Sequence, residues 1–159
     1  MRCCNNRGIS GDSSTGVLDK LRDEVFDLEP SKVFLLIGTN DLGDGKDPQE
    51  VVRNIKQICT LIHNQLPHTK VYVESIYPVN QTVESIMPKG IKQTNEQIRI
   101  VNQNLANMTR EVSYTYIDLY PKLLDTEGRL DRGYTYDGLH LNTIGYEVVK
   151  AELQLVLMN

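Results

Sequence analysis

Two short apolar runs on either side of a helical stripe constrain this chain most. Lys32-Val-Phe-Leu-Leu-Ile-Gly38 is unbroken and ends in glycine, and Lys70-Val-Tyr-Val-Glu-Ser-Ile76 is rich in β-formers and stops at Tyr77-Pro78. Between them Val51, Val52, Ile55, Ile58, Cys59, Ile62 and Leu66 recur at helical spacing, with Pro48 in a first-turn position and Pro67 closing the stripe. Runs this short suit strands better than helices, and consecutive apolar residues suit a parallel strand buried on both faces. Strand, helix, strand is a βαβ unit, so the fold is built on a parallel sheet.

The same alternation continues on both sides. Val17, Leu18, Leu21, Val25 and Leu28 predict one amphipathic helix closed by Pro30. Ile98, Val101, Leu105, Met108 and Val112 predict a long helix whose other face is Asn, Gln, Arg and Glu. A short strand over Tyr114-Thr-Tyr-Ile117 follows, then a loop from Asp118 to Leu141, then a last helix from about Thr143 to Leu157 with Asn142 as its N-cap. No repeat or composition break divides the chain, so residues 1–159 read as a single α/β domain. Such sheets gather ligands at the carboxyl ends of their strands, and the polar residues there are the ones to question.

Composition removes several classes of function. The formal charge is −4 and no basic cluster interleaves with aromatic residues, which argues against a nucleic-acid partner. Cys3, Cys4 and Cys59 fit neither a disulfide scaffold nor a zinc ribbon. The longest apolar run, Val33 to Ile37, is far shorter than the roughly 20 residues of a membrane span. A cytoplasmic location is the expectation, with export left open because the N-terminus reads as incomplete.

Three polar clusters fall where the sheet rule puts a site: Asn6-Arg-Gly-Ile-Ser-Gly-Asp-Ser-Ser14, Gly38-Thr-Asn-Asp41 and Asp137-Gly-Leu-His140. An acid that fixes the tautomer of an imidazole base is the logic of a serine-hydrolase dyad, and Asp137 and His140 have the spacing for it. Each cluster alone also has a plainer meaning. Asp137 would be a turn residue, His140 a residue packed near the last helix, Asn40 a cap at the end of its strand, and Gly11 the pivot of a tight loop.

Together and in this order, the clusters resemble the second, third and last sequence blocks of the SGNH, or GDSL-like, hydrolases, an esterase and acylhydrolase family. The likeness extends over essentially the whole chain and leans toward platelet-activating-factor acetylhydrolase-like and carbohydrate acetylesterase-like members. It implies a three-layer α/β/α fold of flavodoxin-like kind. It also implies His140 as general base, Asp137 as its orienting acid, and the Gly11 N–H and Asn40 amide as oxyanion donors. Thr39 and Asp41 would shape the loop. The resemblance implies neither metal nor organic cofactor. The partner it implies is a small acyl ester, carbohydrate- or lipid-derived, and a homo-oligomer is compatible with it.

The family's first block, a Gly-Asp-Ser at the end of the first strand, carries the nucleophile, and nothing like it precedes Asn6. The expectation is therefore an N-terminally truncated domain whose nucleophilic serine lies upstream, leaving a frayed N-terminus or a gap in the sheet where the first strand belongs. Gly11-Asp12-Ser13 spells the same motif, which makes Ser13 the internal candidate. No apolar strand leads into it, however, and a serine at a helix start is a natural N-cap. Ser10 and Ser14 have still less to recommend them. Two other functions remain to be weighed: a non-catalytic module binding an acylated sugar or lipid head group, and a flavodoxin-like domain with another site. The second lacks any Gly-rich phosphate loop.

Overall fold

The computed structural model describes residues 5–83, 91–111 and 114–158. Strands β1 (Lys32–Leu35), β2 (Lys70–Glu74) and β3 (Thr115–Ile117) form one sheet in the order β1-β2-β3, with both pairings parallel. Lys32 stands opposite Lys70 and Leu35 opposite Val73, while Tyr72 stands opposite Thr115. Parallel neighbours need a helical crossover, and α3 (Pro48–Gln65) and α4 (Asn95–Glu111) provide the two. Helices α1 (Ser14–Glu24), α2 (Thr39–Gly43) and α5 (Thr143–Met158) complete the regular elements.

Local chemistry sets where the helices begin. The Asp47 carboxylate accepts from the Gln49 N–H ahead of Pro48, and α3 runs until Leu66 and Pro67. Thr94 and Gln97 form a reciprocal capping box at the start of α4, each side chain accepting from the other's backbone N–H. Asn142 caps α5 by accepting from the Gly145 N–H at 3.0 Å.

Alternation along β2 divides the core. Val71 and Val73 face α3 and α4, where Val51, Ile55, Ile58, Ile62, Ile98, Val101 and Leu105 are buried. Tyr72 faces the other way with Ile117, Leu119, Leu123, Leu130 and Val149 of α5. Helices therefore cover both faces of the sheet, as a parallel sheet requires. Each fully buried isoleucine of α3 contributes about 1.5–3 kcal/mol of apolar burial.

Several elements depart from their sequence expectation. The first helix does not reach Leu28: it ends at Glu24, Val25 caps it at φ −132°, and a separate 3-10 turn spans Phe26–Leu28 before Glu29 adopts a left-handed φ of 43°. Strand β1 stops at Leu35 rather than Gly38, and only Leu35 is buried in it; Leu36 just beyond is 41% exposed. The reason is that β1 pairs with β2 alone among the described residues, whereas β2 has a neighbour on each side. The stretch from Asp118 to Leu141 is loop-like with turns where Thr126-Glu-Gly128 and Arg132-Gly133 signal them, the latter a 3-10 turn at Arg132–Tyr134, and it adds an unexpected 3-10 turn at Tyr120–Leu123. The expected state of the first residues, the Pro88 and Gly90 stretch that reads as a loop after the second strand, and Val112 lie outside the described residues.

Candidate active site

The loop carrying Asp137 and His140 is tied down before either side chain is placed. An isolated antiparallel bridge joins Thr135 to Leu141 and closes it. Inside, the Thr135 hydroxyl donates to the His140 carbonyl at 2.7 Å and accepts from the Gly138 N–H at 2.9 Å. Asp137 is buried, and its Oδ1 accepts from the N–H groups of Leu139 and His140 at 2.9 and 2.8 Å. Its other oxygen, Oδ2, lies 2.7 Å from His140 Nδ1. Burial works against the Asp137 charge, but the hydrogen bonds from the imidazole and these backbone groups outweigh it and hold the carboxyl below its ordinary value. An ionised acceptor at Nδ1 fixes the proton on that nitrogen and leaves Nε2 as the basic one. The His140 side chain is 64% exposed, so the ring projects from the loop.

A second contact anchors this loop to the sheet. The backbone N–H of Asn80 donates to the Gly138 carbonyl at 2.8 Å, and Gly138 has a left-handed φ of 83°. A Cβ at Gly138 would collide with the Asn80 carbonyl oxygen, so only glycine allows the approach. Asn80 is itself fully buried and donates through its side chain to the Leu130 carbonyl at 2.8 Å.

Gly11 and Asn40 are brought together by a different route. Gly11 is exposed at φ 77°, and its N–H has no partner among the described residues. Asn40 lies in the first turn of α2, which follows β1 after Leu36, Ile37 and Gly38. Its Nδ2 donates to the carbonyl of Asp12, the residue after Gly11, at 2.8 Å. One amide hydrogen thus braces the Gly11 turn, and the amide has a second hydrogen to offer. Thr39 touches Gln93, whose Nε2 lies 3.5 Å from the Thr39 hydroxyl.

The two pairs sit at the same end of the sheet. Asn40 follows the carboxyl end of β1, and Asn80, which holds Gly138, follows the carboxyl end of β2. Gln93 links the two regions, because its carbonyl accepts from Gln81, the neighbour of Asn80. No hydrogen bond joins His140 directly to Gly11 or Asn40 among the described residues. A groove of about 440 Å³ lined by His63, His68, Lys70 and Tyr114 holds none of these candidates.

The serines take structural places. Ser13 is the N-cap of α1, its hydroxyl accepting from the Gly16 N–H at 3.2 Å. Ser14 is buried against Asp41, and Ser10 is exposed. No serine hydroxyl bonds the His140 ring among the described residues.

The resemblance points to Asp41 as shaping the loop beside Asn40, but sequence reasoning missed its bracing partners Ser14, Lys46 and Asn54 around the Gly11 turn, and Asn80 and Asn102 behind the dyad. Asn95 and Asn102, one heptad apart and flanking the apolar stripe of α4, carried a visible signal for the bracing behind the dyad.

A family model described as the GDSL-like Lipase/Acylhydrolase family matches residues 2–148. Among curated proteins, the chain is 30% identical over 154 residues to "Platelet-activating factor acetylhydrolase IB subunit alpha1" of Homo sapiens, covering 96% of this chain and 63% of that protein. It is 29% identical over 153 residues to an N-acylneuraminate cytidylyltransferase of Escherichia coli, covering 94% of this chain and 34% of that protein. A solved structure from Streptococcus pneumonia, described provisionally as a platelet activating factor, superposes with a TM-score of 0.88 at 32% identity, covering 96% of this chain and 72% of that one. The chain thus spans less than two thirds of the length of these curated relatives.

Proposed function

Because the chain belongs to the GDSL-like lipase/acylhydrolase family, we propose that it forms the larger part of a carboxylic ester hydrolase acting on small acyl esters. The observation that carries this reading is the 2.7 Å contact between a buried Asp137 carboxylate and an exposed His140 ring, with Nε2 left as the base. In the proposed mechanism a serine hydroxyl loses its proton to His140 Nε2 as its oxygen attacks the acyl carbon. The negative charge that develops on the carbonyl oxygen is met by the Gly11 N–H and the Asn40 amide. Collapse expels the alcohol with the proton from His140, and water then releases the acid by the same relay.

The serine is proposed to come from a segment outside this sequence. Ser13 is already engaged as a helix cap, and β1 has an edge on which a further parallel strand can pair. The acetyl-type substrate is supported by the acetylhydrolase name of the human relative. That no serine hydroxyl bonds the His140 ring among the described residues favours a second reading, a module that binds acyl esters without cleaving them.

Hydrolysis of p-nitrophenyl acetate by the protein with its upstream segment tests both. His140→Ala is expected to abolish turnover, and Asn40→Ala to lower it about 10²–10³-fold. Undiminished turnover in His140→Ala refutes the mechanism, and ligand binding with no turnover in the unaltered protein selects the binding module.

A further inference from the structure

We infer that Asp41 is the positioning residue of the oxyanion-donor pair, its carboxylate fixing the Gly11 turn in register with the Asn40 amide. The roles of Gly11 and Asn40 rest on the ester-hydrolase reading above; the positioning itself rests on geometry.

Asp41 has no exposed surface, yet it carries a carboxylate. Three donors converge on it. Oδ2 accepts from the Ser14 N–H at 2.8 Å, and Oδ1 accepts from the Ser14 hydroxyl at 2.7 Å and from Lys46 Nζ at 2.9 Å. Ser14 is the first residue of α1, so the charge meets a helix N-terminus, where unpaired N–H groups favour an anion. The Ser14 oxygen is in turn the acceptor for Asn54 of α3 at 2.9 Å, which leaves its one hydrogen for Asp41. Lys46 reaches on to the Thr15 hydroxyl at 3.1 Å. The carboxylate of α2 therefore ties the first turn of α1 to the loop after α2, and Ser14 extends the link to Asn54 of α3.

The consequence falls on the residues either side. Gly11 precedes Ser14 by one short turn, and Asn40 precedes Asp41 directly. The Asn40 side chain adds a neutral hydrogen bond across this gap, to the Asp12 carbonyl, but it is made by the same amide that is to serve the oxyanion. Charge-assisted hydrogen bonds are roughly twice as strong as neutral ones, so Asp41 dominates the pairing of the two segments. With Asp41 holding Ser14, the Asn40 amide can turn a hydrogen toward an oxyanion without releasing the Gly11 turn.

An isosteric amide cannot replace this carboxylate. In Asp41→Asn, a carbonyl turned to the Ser14 N–H sets the NH₂ group against the Lys46 ammonium and the Ser14 hydroxyl proton, and the flipped amide sets it against the Ser14 N–H. Lys46→Met added to Asp41→Asn removes the ammonium, and the amide can then donate to the Ser14 oxygen while accepting from its N–H.

The test uses the 159-residue chain and needs no turnover. NMR spectra of Asp41→Asn are expected to show the Gly11 N–H and Asn40 side-chain amide resonances displaced, with the Asn40 amide protons exchanging about tenfold faster. Signals from the sheet are expected to stay in place, and the Asp41→Asn/Lys46→Met pair to return the Gly11 and Asn40 signals toward their original positions. Unchanged Gly11 and Asn40 signals in folded Asp41→Asn overturn the inference. Should that variant fail to fold, Ser14→Ala, which removes one of the three donors, is expected to move the same two signals in the same direction, and their constancy overturns the inference equally. In the protein with its upstream segment, Asp41→Asn is expected to lower kcat with KM nearly unchanged. Full turnover in Asn40→Ala and His140→Ala would sink the esterase reading, whereas unmoved spectra sink the positioning role alone.

Discussion

Asp137 uses one oxygen on its own loop and the other on the imidazole, so the group that orients His140 also fixes the backbone from which His140 projects. Asp137→Asn would place an NH₂ group or a weaker carbonyl at Nδ1 and disturb the tautomer. Turnover in the proposed reaction is expected to fall about 10³–10⁴-fold while the fold survives, as measured by ester hydrolysis alongside circular dichroism. Titration gives a second check on single residues. Asp41 is opposed by burial but held below its ordinary pKa of 3.8 by Ser14 and Lys46, and Asp137 likewise by His140 and its backbone donors. A carboxylate with a lowered folded pKa adds stability that is complete above its unfolded pKa and is lost as pH falls through the folded one. Urea midpoints are therefore expected to drop below about pH 4, less steeply in Asp41→Asn. Glu74 has the opposite sign: burial raises its pKa, and the Tyr77 hydroxyl donating at 2.9 Å only partly offsets this. Its ionisation works against folding above the unfolded value of 4.5. Glu74→Gln, which keeps an acceptor for Tyr77, is expected to stabilise the protein at neutral pH by on the order of 1 kcal/mol and to lose that advantage in acid.

Helix α4 braces the site from the segment that follows β2. The Asn102 side chain accepts from the Ile76 N–H and donates to the Ile76 carbonyl, both at 2.8 Å, and Asn95 makes the same two-bond clasp on Val79 at the same distances. These clasps hold the segment after β2 on its course toward Asn80, and Asn80 holds Gly138. The sequence placed asparagines of this helix on a polar face, yet Asn102 is buried at 7% exposure. Hydrophobic periodicity locates an apolar stripe but cannot tell a solvated asparagine from one that satisfies buried backbone. Asn102→Ala strands two backbone groups of Ile76 and is expected to cost about 2–3 kcal/mol in urea unfolding. A cost under about 0.5 kcal/mol, the level of an exposed site, would show that the clasp does not hold this segment.

At the scale of the molecule, β1 is the informative edge. Among the described residues it pairs with β2 alone, which leaves half of its backbone groups facing away, and Phe34, stacked on Tyr72 at 4.6 Å, is only partly buried. Native-state hydrogen exchange is expected to alternate along β1, with the outward amides exchanging quickly, while β2 is protected throughout. A further strand paired on this edge, as proposed above for the segment carrying the serine, is expected to slow the outward amides of β1. Uniform protection of β1 in this chain by itself would mean that its outer edge is already covered. The alternation of strand and helix, the parallel sheet and the clusters at its carboxyl ends were all legible in the residues, because each is set by neighbours a few positions apart. Period, caps and turn-forming glycines are local chemistry, and so is the three-residue spacing that lets Asp137 meet His140. The bracing of the site was not legible. Ser14 with Asp41 and Asn102 with Ile76 pair across 27 and 26 positions, and whether a polar side chain meets water or a buried partner is decided only when distant segments pack.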